Sequence, residues 1–425
     1  MTRALHFLRS GRLAWRDREP SRIEDERDAV VRPFVAGRCD GDTVPIHRPV
    51  SRAMQLGMAI GAIDPVVGSI CGSVPFKGPF GIGHECVAEV VAVGSAVTTL
   101  HVGQRVVVPR AVSCGSCAPC RSGLTSKCAT TTRATLAAFG FGAACGPWGG
   151  MVADTFRVPF ADHMPVPVPA GVPLLRVAAA SDNLADAWRC VVPPLAEREG
   201  GSVLVLGGGA KSIGLYAAGL AVAHGAGQVD YVDDDAGRRD IAESFGARAV
   251  TRPDGRYDIV VEATSSASGL RRALRALAPG GVCTAVGYYV ATGTRVPLMH
   301  MYATDATLRV GVSHAQPLGH HSGRAASRSG MLHDFHVVSS LEVQVPEAEV
   351  GSGCEDAAMS WLGAVVRRRM VTTYVTAASR VAATVTSPSG RALWLPPRPT
   401  RGAVRAPRPK RASPSSEDAV PAMSG

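Results

Sequence analysis

Aromatic side chains make up only 5% of this 425-residue chain, and it holds no run of eighteen uninterrupted apolar residues. The first shortage argues against a nucleic-acid reader, which stacks bases on aromatic rings, and no reader motif is present. The second argues against a helical membrane span. Residues 1–12 lack a long apolar core followed by a small-residue cleavage site, so no export signal is expected. Acidic side chains are also in short supply: 35 Asp and Glu stand against 45 Lys and Arg, a net charge of +10. Much of that excess is local, because Arg391, Arg398, Arg401, Arg405, Arg408, Lys410 and Arg411 face only Glu417 and Asp418. A basic tail of this kind is usually solvated. What remains is a chain with 46% hydrophobic residues, long enough for two or three globular domains. Eleven cysteines without an export signal point to a reducing, cytoplasmic setting, where thiols bind metals more readily than they form disulfides.

Four of those cysteines share one short stretch. Cys114, Cys117, Cys120 and Cys128 follow the spacing C-x2-C-x2-C-x7-C. Four thiolates this close can complete a tetrahedral shell around Zn²⁺, as structural zinc sites do. Two disulfides or buried free thiols are the alternatives, although adjacent C-x2-C steps suit a metal better than disulfide geometry. Upstream, short strands are expected at residues 4–7, 13–15 and 28–36, the last leading into Cys39-Asp40-Gly41-Asp42. Gly83-His84-Glu85 opens a further strand at 86–93, with His84 lying 45 positions after Cys39.

The second half begins with a strand at 202–206, Ser-Val-Leu-Val-Leu. Gly207-Gly208-Gly209-Ala210-Lys211-Ser212-Ile213-Gly214 follows at once and leads into a helical run at 215–224. A dinucleotide pyrophosphate needs this order of strand, Gly-rich turn and helix. Glycines let the backbone approach the phosphates, and the helix N-terminus supplies unpaired N–H groups and a favourable dipole. The turn departs from G-x-G-x-x-G by two extra residues between Gly209 and Gly214. The next strand ends in Asp233, 26 residues after Gly207, near the usual spacing of about 20 once those two are allowed for. A carboxylate there accepts from ribose hydroxyls and repels a 2′-phosphate, so NAD is expected over NADP; Arg238 and Arg239 are the residues that argue the other way. Strands at 257–262 and 281–287 with a helix at 267–277 continue the β/α alternation of a doubly wound sheet. A phosphate-free α/β domain is the alternative.

A strand ending in C-x-x-D near residue 40, a later G-H-E and a four-cysteine lobe together resemble the zinc-dependent medium-chain dehydrogenase/reductase family, of the alcohol dehydrogenase type. The likeness covers residues 1 to about 316, roughly three quarters of the chain. It implies an α/β fold with two domains. A GroES-like, partly open β-barrel catalytic domain would span 1–170 and carry the structural zinc lobe at 114–128. A Rossmann doubly wound parallel sheet would span 171–317. Residues 318–387 do not align with the family, and 388–425 read by composition as a basic disordered tail.

The resemblance further implies an oxidoreductase that passes hydride between NAD and an alcohol or aldehyde, or a polyol or amino alcohol. It implies one structural Zn²⁺ on the four cysteines and one catalytic Zn²⁺ on Cys39, His84 and Asp182. A His beside a Glu is often only a surface pair, but the Gly before His84 and the lobe after it favour the ligand role. Asp182 also suits a helix N-cap; the ligand role follows the branch that includes formaldehyde and threonine dehydrogenase-like enzymes. Cys71, in Ser69-Ile70-Cys71-Gly72-Ser73, is a second candidate for the first ligand. Cys39 is preferred because it follows the right strand and has Asp42 three residues on. Glu85 would approach the open fourth position. Where the family often has a Ser or Thr to relay the proton, this chain has Gly41, which leaves Asp42 and His47 as substitutes.

Cys39 and His84 are about twice as far apart as in the family, so residues 43–80 contain an insertion, with a helix expected at 50–63. This insertion, Trp148 and Met151 are expected to shape the substrate pocket. A homodimer or homotetramer is expected, with no nucleic-acid or membrane partner. The competing reading is a catalytically impaired zinc- and nucleotide-binding homologue with a regulatory or scaffold role. Gly41 and the divergent end of the chain favour it, and the complete ligand sets and Asp233 oppose it.

Overall fold

A computed structural model describes residues 1–37, 39–132 and 134–314. The expectations for 318–387 and 388–425 lie outside the described residues. Strands of the first part are β1 (Thr2–Arg9), β2 (Arg12–Arg18), β3 (Ala29–Gly37), β4 (Phe80–Gly81), β5 (Glu85–Val93), β6 (Arg105–Val108), β7 (Phe156–Val158) and β8 (Val166–Pro167). They form an antiparallel five-stranded sheet ordered β7-β3-β5-β6-β8 and a three-stranded sheet ordered β2-β1-β4. The Val- and Ala-rich β3, β5 and β6 are buried along most of their length. One face packs Val31, Val90 and Val106 onto Phe139, Met151 and Phe156. Met151 is therefore a fully buried core residue and Trp148 packs against that core, which corrects their expected place in the substrate pocket.

The insertion folds into three short helices, α1 (Asp40–His47), α2 (Ser51–Ala59) and α3 (Val66–Cys71). It is more than a surface appendage. The N–H of Asp64 donates to the carbonyl of Val290 at 2.8 Å, and that of Thr292 to the carbonyl of Ala62 at 3.1 Å, so the insertion docks on the second half of the chain. The four-cysteine stretch contributes a single turn, α4 (Ala118–Arg121).

The second half contains α5 (Asn183–Ala196), β9 (Ser202–Leu206), α6 (Lys211–Ala223), β10 (Gln228–Val232), α7 (Ala236–Ser244), β11 (Arg248–Ala249), β12 (Tyr257–Glu262), α8 (Ala267–Arg275), β13 (Leu277–Ala285), α9 (Leu298–Ala303) and β14 (Thr307–Val310). All six strands pair in parallel in the order β11-β10-β9-β12-β13-β14. This is the strand order of dinucleotide-binding sheets, with the reversal between β9 and β12 leaving a crevice at their carboxyl ends. The helix expected at 267–277 stops at Arg275, and β13 begins at Leu277 and ends at Ala285. Leu277 is fully buried in register with Tyr257 of β12, so strand pairing claims a residue whose spacing also fitted the helix.

One apolar cluster joins the two halves. Val35, Val87 and Val107 of the antiparallel sheet, Leu184, Trp188 and Val191 of α5, and Val203, Val205 and Val261 of the parallel sheet belong to it. Helix α5 is thus packed on both sheets, and its first residues are fixed at the junction. Among the described residues, no helix is long and apolar enough to cross a membrane. Replacing Trp188 by Ala would open a cavity at this junction and should cost about 3–5 kcal/mol, read as a lowered denaturation midpoint.

Candidate metal centres and dinucleotide cleft

The end of β3 delivers Cys39, which caps α1. The N–H of Gly41 donates to Cys39 Sγ at 3.1 Å, and the N–H of Cys39 donates to Asp42 Oδ2 at 3.3 Å. The Asp three residues after the cysteine is therefore half of a capping box. His84 lies just before β5, where Gly83 takes a positive φ of 92° and a Cβ on it would strike Val152. Gly140 approaches the same turn, and a Cβ on it would come within 2.6 Å of the Gly83 carbonyl oxygen. This close passage brings Phe141 against the imidazole, with ring centroids 4.8 Å apart.

Cys39, His84 and Asp182 converge there, each buried, with one donor atom apiece within 4.8 Å of the others. His84 Nε2 is 2.8 Å from Cys39 Sγ and 3.5 Å from Asp182 Oδ2, while Nδ1 is 3.4 Å from Asp42 Oδ1. Asp182 opens α5 but makes no side-chain cap hydrogen bond. Its Oδ1 is 3.0 Å from Arg110 Nε and accepts from the Ser313 hydroxyl at 3.0 Å, which leaves Oδ2 turned to His84. Such fixing of a carboxylate is what outer partners of a metal ligand do.

Burial pushes the Cys39 thiol up to about 11 despite His84 beside it. Burial opposes charge on His84, yet Asp42 and Cys39 outweigh it and hold the imidazole well above its usual range. Three buried donors, of which Cys39 and His84 hold their protons tightly, suit a divalent cation that would take the place of those protons. Glu85 is buried and pushed up to about 8, first by burial and then by the charge of Asp182. Its Oε1 accepts from the Asn183 N–H at 3.0 Å, so it faces the first turn of α5. His47 is exposed at the end of α1. Cys71 closes α3 and is outside the three-residue cluster.

The four lobe cysteines form a second cluster within the same 4.8 Å limit. No cysteine among the described residues is in a disulfide. Cys117 Sγ and Cys128 Sγ are 3.8 Å apart, far beyond an S–S bond. Tetrahedral Zn–S bonds of about 2.3 Å place sulfurs at about that spacing. Backbone N–H groups of Cys114 and Ala129 donate to the sulfurs of Cys128 and Cys117, each at 3.3 Å. Burial raises the Cys114 thiol, but hydrogen bonds from the Thr130 and Ser116 hydroxyls and nearby N–H groups prevail and bring it to about 5. A preformed thiolate of this kind fits a structural metal.

At the switch point, Gly207 and Gly208 follow β9, and α6 begins at Lys211 with Ala210 as its N-cap, whose methyl group offers no cap hydrogen bond. Ser212, Ile213 and Gly214 are buried in its first turn. Asp233 lies against Gly207, where a Cβ would come within 2.4 Å of its Oδ2. Its carboxylate is gripped by Arg238, with Nε to Oδ2 at 2.7 Å and Nη2 to Oδ1 at 2.6 Å, and Tyr231 OH donates to Oδ2 at 2.9 Å. Arg239 bonds the Asp233 carbonyl at 2.8 Å. Both arginines that argue for NADP thus surround the acid that argues for NAD. The N–H groups in the first turn of α6, two of which donate to the Asp40 carboxylate, and the Gly-lined approach fit an anion such as a dinucleotide phosphate. Arg110, Ser313 and Asp40 are residues at these sites that sequence reasoning missed, because Asp40 is an unspecified position of C-x-x-D and the other two belong to no local motif.

Two antiparallel sheets, a six-stranded dinucleotide-type sheet and two clusters of candidate metal ligands define a zinc-binding dehydrogenase class. The Alcohol dehydrogenase GroES-like domain model matches residues 26–168, and the Zinc-binding dehydrogenase model matches 212–316. The chain is 31% identical over 259 residues to a probable zinc-binding alcohol dehydrogenase of Mycobacterium tuberculosis, covering 58% of this chain and 64% of that protein. It is 31% identical over 232 residues to D-xylulose reductase A of Aspergillus oryzae, covering 50% and 60%. Alignment thus spans less than two thirds of either relative. Alcohol dehydrogenase from Thermus sp. ATN1 superposes with a TM-score of 0.62 at 27% identity, covering 80% of this chain and 89% of that one. The chain belongs to the zinc-dependent medium-chain dehydrogenase family. Zinc and NAD(P) are the cofactors typical of that family, and both have fitting donor sets here.

Metal analysis of the purified protein should find about two zinc ions per chain. Cys39→Ser should remove one, Cys71→Ser none, and Arg110→Met should weaken the site about 10–100-fold in chelator competition. A single zinc that survives Cys39→Ser would sink the three-residue site.

Proposed function

We propose that this protein is a zinc-dependent oxidoreductase that moves a hydride between an alcohol, or a polyol or amino alcohol, and a nicotinamide dinucleotide, with NAD preferred. The adjacency of the two donor sets carries this reading. Asp182 faces His84, and the next residue, Asn183, donates from Nδ2 to Ser212 Oγ of α6 at 2.9 Å. Metal and dinucleotide would therefore lie on either side of one peptide. When bound, the metal supplies Lewis acidity and the dinucleotide the hydride-accepting carbon.

The remaining work falls to the chain's own residues. Cys39, His84 and Asp182 would provide three protein ligands, the number that catalytic zinc sites carry, in line with the formaldehyde and threonine dehydrogenase-like branch. Asp42 fixes the imidazole so that Nε2 faces Cys39, a positioning role in place of the proton relay. The carboxylate of Asp233 opposes a 2′-phosphate, although Arg238 lessens that opposition. The split into a catalytic domain at 1–170 and a nucleotide domain at 171–317 is supported by the two kinds of sheet. Among the described residues β14 is an outer strand with Val310 73% exposed, which favours a homodimer or homotetramer through that edge. The thiol-only lobe favours a cytoplasmic setting.

NADH formation should appear on at least one member of a panel of alcohols, polyols, threonine and formaldehyde, and Cys39→Ser should abolish it. Dinucleotide binding without turnover on every member would instead favour the regulatory or scaffold role. Light scattering at micromolar concentration should report two or four chains per particle; a monomer would overturn the assembly.

A further inference from the structure

Asp40 stands where a phosphate is needed. Its Oδ2 accepts from the Lys211 N–H at 2.8 Å and from the Ser212 N–H at 3.4 Å, and Lys211 Nζ lies 3.7 Å from its Oδ1. These are the first two N–H groups of α6, a helix of 13 residues whose N-cap, Ala210, makes no side-chain cap hydrogen bond. The acceptor comes instead from 171 positions earlier in the chain, from the residue that follows Cys39. A carboxylate at a helix N-terminus answers the same dipole and the same unpaired donors as a phosphate does.

We propose that Asp40 is a latch that fills the phosphate position of α6 until the dinucleotide displaces it, and so sets dinucleotide affinity. The proposal rests on the dinucleotide reading above. Each N–H has one proton to give, so the carboxylate and a pyrophosphate cannot both be served by Lys211 and Ser212. The two anions also repel at that distance. On displacement, the Lys211 ammonium loses its carboxylate partner and becomes a cation for the incoming phosphate. The Asp40 side chain is 30% exposed, which gives it a route out into the cleft. Asp40 is also the first residue of α1, whose cap is Cys39, so its release reaches the peptide next to the first metal-cluster residue. Emptying the latch and filling the dinucleotide site are therefore one event at the boundary of the two halves.

Equilibrium binding followed by fluorescence tests this without turnover. Asp40→Asn and Asp40→Ala, with zinc content and circular dichroism matched to the parent protein, should bind NADH and ADP-ribose about three- to tenfold more tightly. Adenosine, which has no phosphate, should bind all three proteins alike. Tight binding by the variants where the parent protein binds weakly also supports the latch. If the parent protein binds NADH and both variants bind it equally or more weakly, or if adenosine tightens in step, the latch is wrong. If neither parent nor variants bind any dinucleotide, the dinucleotide reading fails and the latch fails with it.

Discussion

The arrangement depends on a carboxylate that cannot be left alone. Asp182 is buried, and an unpaired charge in that position would cost several kcal/mol. Arg110, equally buried, takes one side of it, and Ser313 completes that oxygen. Only the other oxygen is left to face His84. The pairing raises the hold of Arg110 on its proton against the penalty of burial, so the guanidinium stays charged and the carboxylate keeps its orientation. Phe141 stacks near both the Arg110 guanidinium and the His84 ring, which closes the charges off from water. A fixed arrangement of candidate metal ligands follows from this pairing.

Its location follows from packing. Helix α5 shares one apolar cluster with the antiparallel sheet on one side and the parallel sheet on the other, so its N-terminus has little freedom. The strand β5 begins one residue after His84, and its Val87 belongs to the same cluster. The cleft between the halves is spanned a second time by the insertion, through hydrogen bonds at Ala62 and Asp64 to residues 290–292. Glycine does the remaining positioning: Gly83 and Gly140 let two backbones pass where a single Cβ would collide.

Local chemistry was legible in the sequence, and remote partnership was not. The lobe could be read because four ligands on 15 consecutive residues must meet whatever the rest of the chain does, as their shared 4.8 Å cluster illustrates. The turn from β9 into α6 could be read for the same reason. Cys39, His84 and Asp182 were named through a family likeness, since nothing local says that positions so far apart converge. Arg110 gave no signal beyond following a Val-rich strand, and Ser313 and Asp40 gave none. Leu277 was read into a helix because its spacing fits one, whereas burial against β12 decided for strand. Spacing along the chain does not place Met151 and Trp148, and it is burial that puts them in the core of the antiparallel sheet.

A cleft built to receive a polyanion presents a problem before the ligand arrives. Open N–H groups at the start of α6 and the cations around it would otherwise face each other across the crevice unpaired. Here carboxylates of the chain itself occupy those places: Asp40 on α6 and Lys211, and Asp233 between Tyr231 and Arg238. Hydrogen bonds from Arg238, Asp235 and Tyr231 hold the Asp233 carboxyl below its usual range even though burial pushes the other way, so it stays ionised at neutral pH. The two acids differ in what binding asks of them. Asp233 would accept ribose hydroxyl donors only by giving up donors it already has, which would tune selectivity at that end. Asp40 competes for the same protons as the phosphates, which tunes affinity at the other. Preorganisation of the cleft and strength of binding are therefore set against each other by the same few hydrogen bonds.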